Sequence, residues 1–94
     1  MKYPEIKILL DITADNAKSI GFPGGGELGK RSKFGGDPVW IQDEAWPVCN
    51  CNRKMSFYAQ LDSIGLDMNI VDCGLIYIFI CEKCISVKSI IQYS

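Results

Sequence analysis

Lys54-Met-Ser-Phe-Tyr-Ala-Gln-Leu-Asp62 and Gly74-Leu-Ile-Tyr-Ile-Phe-Ile80-Cys81-Glu-Lys-Cys84 are the two stretches on which the fold turns. Along the first, Met55, Phe57, Ala59 and Leu61 alternate with Ser56, Tyr58, Gln60 and Asp62. That period of two predicts a strand with one face on a core and the other toward solvent. The second stretch is apolar on both faces, which predicts a central strand covered on each side. Cys49 and Cys51 precede the first strand, and Cys81 and Cys84 follow the second. If the two strands pair as antiparallel neighbours, the start of one lies beside the end of the other and the cysteine pairs meet. Tight turns of this kind supply thiolates two at a time, and two turns complete a tetrahedral zinc site of knuckle type. The expectation is one Zn²⁺ held by Cys49, Cys51, Cys81 and Cys84.

Two details depart from the common knuckle: the first pair is C-x-C, and no glycine follows Cys84. Idle thiols and a redox disulfide remain alternatives. A thioredoxin-like dithiol, however, places its first cysteine at a helix N-terminus, whereas Ile-Ser-Val after Cys84 reads as strand. The fifth cysteine, Cys73, reads as a small core residue.

Around these strands the chain is short. Its 94 residues, 48% hydrophobic and 22% charged, bound one small globular domain over 1–94, and domains of this size often supplement a marginal core with a metal or disulfides. Met1 to Lys7 carries charges where an export signal has its apolar stretch, and Asp11 cuts short Ile8-Leu9-Leu10. No apolar run approaches the roughly 20 residues of a membrane-spanning helix. With an odd cysteine count, the expectation is a cytoplasmic protein whose thiols bind metal.

Glu5 to Ile12 reads as a first strand, Asp15 to Ser19 as a single helical turn, Val39-Trp40-Ile41 as a short strand, and Ser86 to Tyr93 as the last. Gly21 to Pro38 holds seven of the nine glycines and reads as a long loop. Within it, Gly24, Gly26, Gly29 and Lys30 nearly spell two phosphate-binding motifs, but Gly35, Gly36 and Pro38 leave no room for the helix such motifs must open.

Function classes narrow by exclusion. The chain contains no histidine, so triads and open zinc sites built on imidazole are absent, and a four-thiolate metal has no free position for a substrate water. The formal net charge of −1 falls to −3 once four thiols lose protons to a dication, which speaks against a nucleic-acid partner. From Asp37 to Asp72 six acids face two bases. Asp43, Glu44, Asp62 and Asp67, with Lys30 and Arg31 of the glycine-rich loop, are therefore the candidate partner-binding residues. Trp40 and Trp46 read first as packed anchors.

Gly35-Gly36-x-Pro38, Trp46-Pro47, Met55-Ser-Phe57 with Gln60-Leu61, and Gly74-Leu-Ile-Tyr77-Ile-Phe79-x-Cys81 resemble, in this order, the motifs of the YwqG-like family. That family is mostly bacterial, of unknown biochemical function, and distantly similar to programmed cell death protein 2. The resemblance covers about residues 35–84, and members are usually longer, so the chain looks like a minimal version. It implies an α+β fold dominated by antiparallel strands and no enzyme activity. It also implies a place among polymorphic-toxin loci, where some such domains act as immunity proteins. The expected function is a non-catalytic, zinc-stabilised protein-binding module, most specifically an immunity protein for a cognate toxin. An accessory metal-binding domain of a larger intracellular assembly and a thiol-redox protein are the alternatives. Neither nucleic acid nor membrane is an expected partner.

Overall fold

The computed structural model describes residues 2–7, 31–63, 69–71 and 73–93. They form five strands: β1 (Ile6–Lys7), β2 (Lys33–Phe34), β3 (Ser56–Asp62), β4 (Leu75–Cys81) and β5 (Ser86–Gln92). The strands lie in chain order within one sheet, each antiparallel to the next. The antiparallel pairing of β3 with β4 is the one the cysteine spacing required. No helix occurs among the described residues, so the helical part of the α+β expectation has no counterpart there. The turn expected at Asp15 to Ser19, the strand residues 8–12 and the loop residues 21–30 lie outside the described residues.

β3 corrects the simple alternation. Phe57 stands opposite Phe79, but Ala59 stands opposite Ile78, so the register shifts by one residue between them. A bulge of this kind inserts one residue and exchanges the two faces beyond it. Met55 and Phe57 therefore enter the core as expected, whereas beyond Tyr58 it is Gln60 and Asp62 that turn inward, and Leu61 is 41% exposed. Along β4, Leu75, Tyr77, Phe79 and Cys81 are buried, while the alternate Ile76, Ile78 and Ile80 are half-buried. The strand is central, with one face fully covered.

The cover over that face is an irregular strap. Val39-Trp40-Ile41, expected as a strand, pairs with no strand; polar side chains rising from the sheet hold its backbone instead. Gln60 Oε1 accepts Val39 N–H at 3.0 Å, and Tyr77 Oη donates to the Val39 carbonyl at 2.7 Å. Gln92 Oε1 accepts the N–H groups of Ile41 and Gln42 at 3.0 and 2.9 Å, while its Nε2 donates to the Asp43 carbonyl at 2.7 Å. Buried backbone polar groups need partners, and these three side chains supply them where no ladder does. Trp40 then stacks on Phe79 at 6.1 Å, and Trp46 meets Phe79 edge-on at 5.4 Å. Both tryptophans pack against the core, as anchors.

The Gly35-Gly36 pair ties β1 to this frame. Gly35 has φ +65°, and a Cβ there would lie 1.9 Å from the Pro4 carbonyl oxygen, so only glycine lets the two backbones approach. Its N–H donates to the Tyr58 carbonyl, and that of Gly36 to the Tyr3 carbonyl, each at 2.8 Å.

Candidate metal centre

Two hairpins at one end of the sheet carry the four cysteines. In the first, a bridge between Val48 and Lys54 closes a tight loop. Cys49 N–H donates to the Arg53 carbonyl and Asn52 N–H to the Cys49 carbonyl, both at 2.8 Å. Asn52 takes φ +69°, a conformation its short polar side chain tolerates better than most. The second hairpin joins β4 to β5 through Glu82–Ile85, with Cys81 paired to Ser86. The turn closes with Ile85 at φ +51°, in the place where glycine is the low-strain choice. Register does the rest: Ser56 at the start of β3 pairs with Ile80 near the end of β4, so the loop before one strand meets the loop after the other.

The four Sγ atoms all lie within 4.8 Å of one another. Cys51 and Cys81 Sγ are 3.7 Å apart, far beyond the ~2.05 Å of a disulfide. A tetrahedron of ~2.3 Å metal–sulfur bonds has edges of about 3.8 Å, so this pair already spans one edge. Cys81 is buried, Cys49 and Cys51 are half-buried, and Cys84 is exposed. Four cysteines in this arrangement could hold one metal ion.

The sulfurs are electrostatically unequal. Cys49 is lowered to about 6, first by the Cys51 backbone N–H and then by Ser86, whose Oγ lies 3.7 Å from Cys49 Sγ. Cys84 is pushed up to about 12, first by hydrogen bonding to Cys51 and Cys49, with desolvation adding to it. Without a cation, then, negative charge settles on Cys49 and discourages a second charge on Cys84, the mutual effect of close titrating groups. A bound cation relieves that repulsion and allows further thiols to ionise.

The remaining candidates divide. Asp43 and Glu44 are exposed. Asp62, expected on the surface, is instead 4% exposed. It accepts Arg31 Nε at 2.9 Å and Nη2 at 2.8 Å on its two oxygens, as well as Arg31 N–H. Arg31 also donates to the Cys73 carbonyl at 3.1 Å. The bulge that turns Asp62 inward thus converts two presumed contact residues into an internal ion pair. Cys73 is a half-buried turn residue at φ +57° rather than a core residue. Lys30 and Asp67 lie outside the described residues. Gln60 and Tyr77 stand out in the sequence only as residues of the family motifs, and Ser86 and Gln92 not at all; nothing in an isolated Ser or Gln marks it as a cysteine's neighbour or a strap's anchor.

Residues 32–84 match the family model described as "Domain of unknown function (DUF1963)". The span contains both cysteine pairs and ends on Cys84. The chain is also similar to a Salmonella typhimurium protein, "Uncharacterized protein YpfL", with 39% identity over 54 residues. That alignment covers 56% of this chain and 13% of the relative, so the shared region is a small part of a much longer protein. No solved structure matches the chain. Among the described residues, no helix is long and apolar enough to cross a membrane.

Proposed function

The chain belongs to the family described as Domain of unknown function (DUF1963), and from that premise we propose that it is a non-catalytic binding module stapled by one zinc ion, most specifically an immunity protein that binds and neutralises a cognate toxin. The observation that carries the reading is the convergence of four cysteine sulfurs within 4.8 Å. Thiolates are soft ligands and select zinc over the hard divalent cations. Four of them close the coordination shell, so the metal contributes folding energy and offers no position for a reacting water. We assign the domain to the YwqG-like kind, because the matched span 32–84 overlays the 35–84 motif span. We place it in a bacterial cytoplasm, where reduced thiols bind metal.

The toxin-directed form draws on what the resemblance implies and on the exposed Asp43-Glu44 pair at the end of the strap. An acidic surface steers a basic partner toward encounter, as it would a nuclease that itself binds phosphates. An accessory domain of a larger assembly uses the same zinc staple. The thiol-redox alternative draws on the lowered Cys49, and alkylation separates it: metal-loaded cysteines are protected until a chelator is added, whereas a working dithiol labels at once.

The test has two arms. Protein purified without chelator should carry one zinc per chain by elemental analysis; less than about a tenth of an equivalent in folded protein refutes the staple. Co-expression with a toxin encoded beside it should restore growth. A housekeeping operon with no such neighbour refutes the immunity form and favours the accessory domain.

A further inference from the structure

Ser86 opens β5 and pairs with Cys81 across the β4–β5 turn. Directly opposed residues of an antiparallel pair share one face of the sheet, so Ser86 stands on the face where Cys81 meets Cys51. Its half-buried hydroxyl oxygen lies 3.7 Å from Cys49 Sγ, within the longer reach of hydrogen bonds to sulfur. Cys49 Sγ also receives the Cys51 backbone N–H. Two donors from two hairpins therefore converge on one sulfur: Cys51 belongs to the loop before β3, Ser86 to the strand that follows the β4–β5 turn.

Between a thiol and a hydroxyl, either Cys49 or Ser86 can donate. Metal binding removes that freedom. A cysteine that ligates a metal has lost its proton, and its sulfur can then only accept, so the Ser86 hydroxyl must donate. Four thiolates around one dication leave a net charge of −2, and the chain has no histidine to share that load. A hydroxyl aimed at one sulfur stabilises part of it. Burial does not shield Cys49 instead. A depression of about 260 Å³ opens on Cys49 and Ser86, with Val48, Met55 and Val87 in its walls, and it admits a small reagent. The bonds that Cys49 accepts are what hold its sulfur on the metal.

We propose that Ser86 is a positioning residue of the metal centre, donating its hydroxyl to metal-bound Cys49 and making that thiolate a tighter and less reactive ligand. The role rests on the zinc assignment and deepens it. Whether the centre is an inert staple or a labile one is set in part by a residue that is not itself a ligand.

Zinc competition against a chromophoric chelator, on the full chain, tests it. Ser86→Ala should bind zinc about tenfold or more weakly than the wild type. Ser86→Thr keeps the hydroxyl, and Ser86→Val puts a methyl group of the same shape in its place, so strand preference and packing cancel between the two. The threonine variant should stay near wild type and the valine variant should fall with alanine; this pair carries the test if Ser86→Ala does not fold. Ser89→Ala, on the opposite face of β5 where Ser89 pairs with Ile78, should bind as the wild type does. Two readouts separate a bond to sulfur from a loss of structure. With Co²⁺ in place of zinc, the sulfur-to-cobalt charge-transfer band should move to longer wavelength in the alanine and valine variants, because the sulfur lone pair rises in energy without its donor. In zinc-loaded protein, iodoacetamide should label Cys49 faster in the same two variants, read by peptide mass mapping. A wild type that binds no zinc overturns the zinc assignment and the Ser86 role with it. A zinc-loaded wild type whose alanine and valine variants bind within about threefold of it overturns the Ser86 role alone. So does weaker binding with an unmoved cobalt band, which would make Ser86 a purely structural residue.

Discussion

Replacing Ile85 by glycine should stabilise the protein, although it deletes a large apolar side chain beside a candidate metal ligand. Ile85 follows Cys84 in the β4–β5 turn at φ +51°, a conformation that costs an L-residue roughly 1–2 kcal/mol and a β-branched one toward the upper end. The side chain is 91% exposed, so almost no burial is lost with it. Against the relief stands the greater freedom of glycine in the unfolded chain, about 0.5–1 kcal/mol. The net gain is about 1 kcal/mol, which for a domain of this size raises Tm by roughly 4–8 °C. Urea unfolding of both proteins at matched metal content measures it, with an expected midpoint shift of about 0.5–1 M. Ile85→Ala keeps a Cβ and should recover only a few tenths of a kcal/mol. A glycine variant less stable than the wild type would refute the reasoning. It would show that the isoleucine makes a contact outweighing the strain, or that the turn does not hold the left-handed conformation in solution.

Cys84→Ser should abolish stoichiometric zinc and lower Tm well beyond Cys73→Ser, since only Cys84 belongs to the four-sulfur cluster; equal losses by calorimetry would refute the ligand assignment. In chelated protein the pH dependence has a defined sign. Cys49 is depressed from 9.0 to about 6, so its contribution grows from about pH 6 to 9 and is lost as pH falls through 6. Cys84 is raised from 9.0 to about 12, so its contribution is full below 9 and lost as pH rises toward 12. Stability by denaturation should therefore peak near pH 9; a profile that only rises would contradict the Cys84 shift, and one that only falls the Cys49 shift. Asp62→Ala leaves the Arg31 guanidinium, whose side chain is 16% exposed, without its bidentate partner. Chemical denaturation should show a loss of about 3 kcal/mol or more, and a loss below about 0.5 kcal/mol would mean that the pair is solvated. Asp43→Lys with Glu44→Lys should slow association with a basic partner and weaken its salt dependence while leaving the urea midpoint unchanged; unchanged association kinetics would reduce the pair to a solvated turn.

The strand-like β3 and β4 stretches and the cysteine pairs flanking them made the meeting of the cysteines legible on one condition, antiparallel pairing of the two strands, and the pairing of Ser56 with Ile80 meets it. The sequence could not place the bulge at Tyr58. A register shift depends on how Phe57 and Ala59 settle against Phe79 and Ile78 across the sheet, and no feature of one strand read alone records it. From that single shift follow the burial of Asp62, its pairing with Arg31, the inward turn of Gln60 and the exposure of Leu61. The strap was hidden for a related reason: its residues carry strand-like propensity, but Gln60, Tyr77 and Gln92 on distant strands satisfy its backbone. Ile85 shows the same division at one residue. The sequence shows that no glycine follows Cys84; only the closed hairpin between Cys81 and Ser86 forces that position into the left-handed region, because four residues must reverse the chain while Cys84 joins the other three sulfurs.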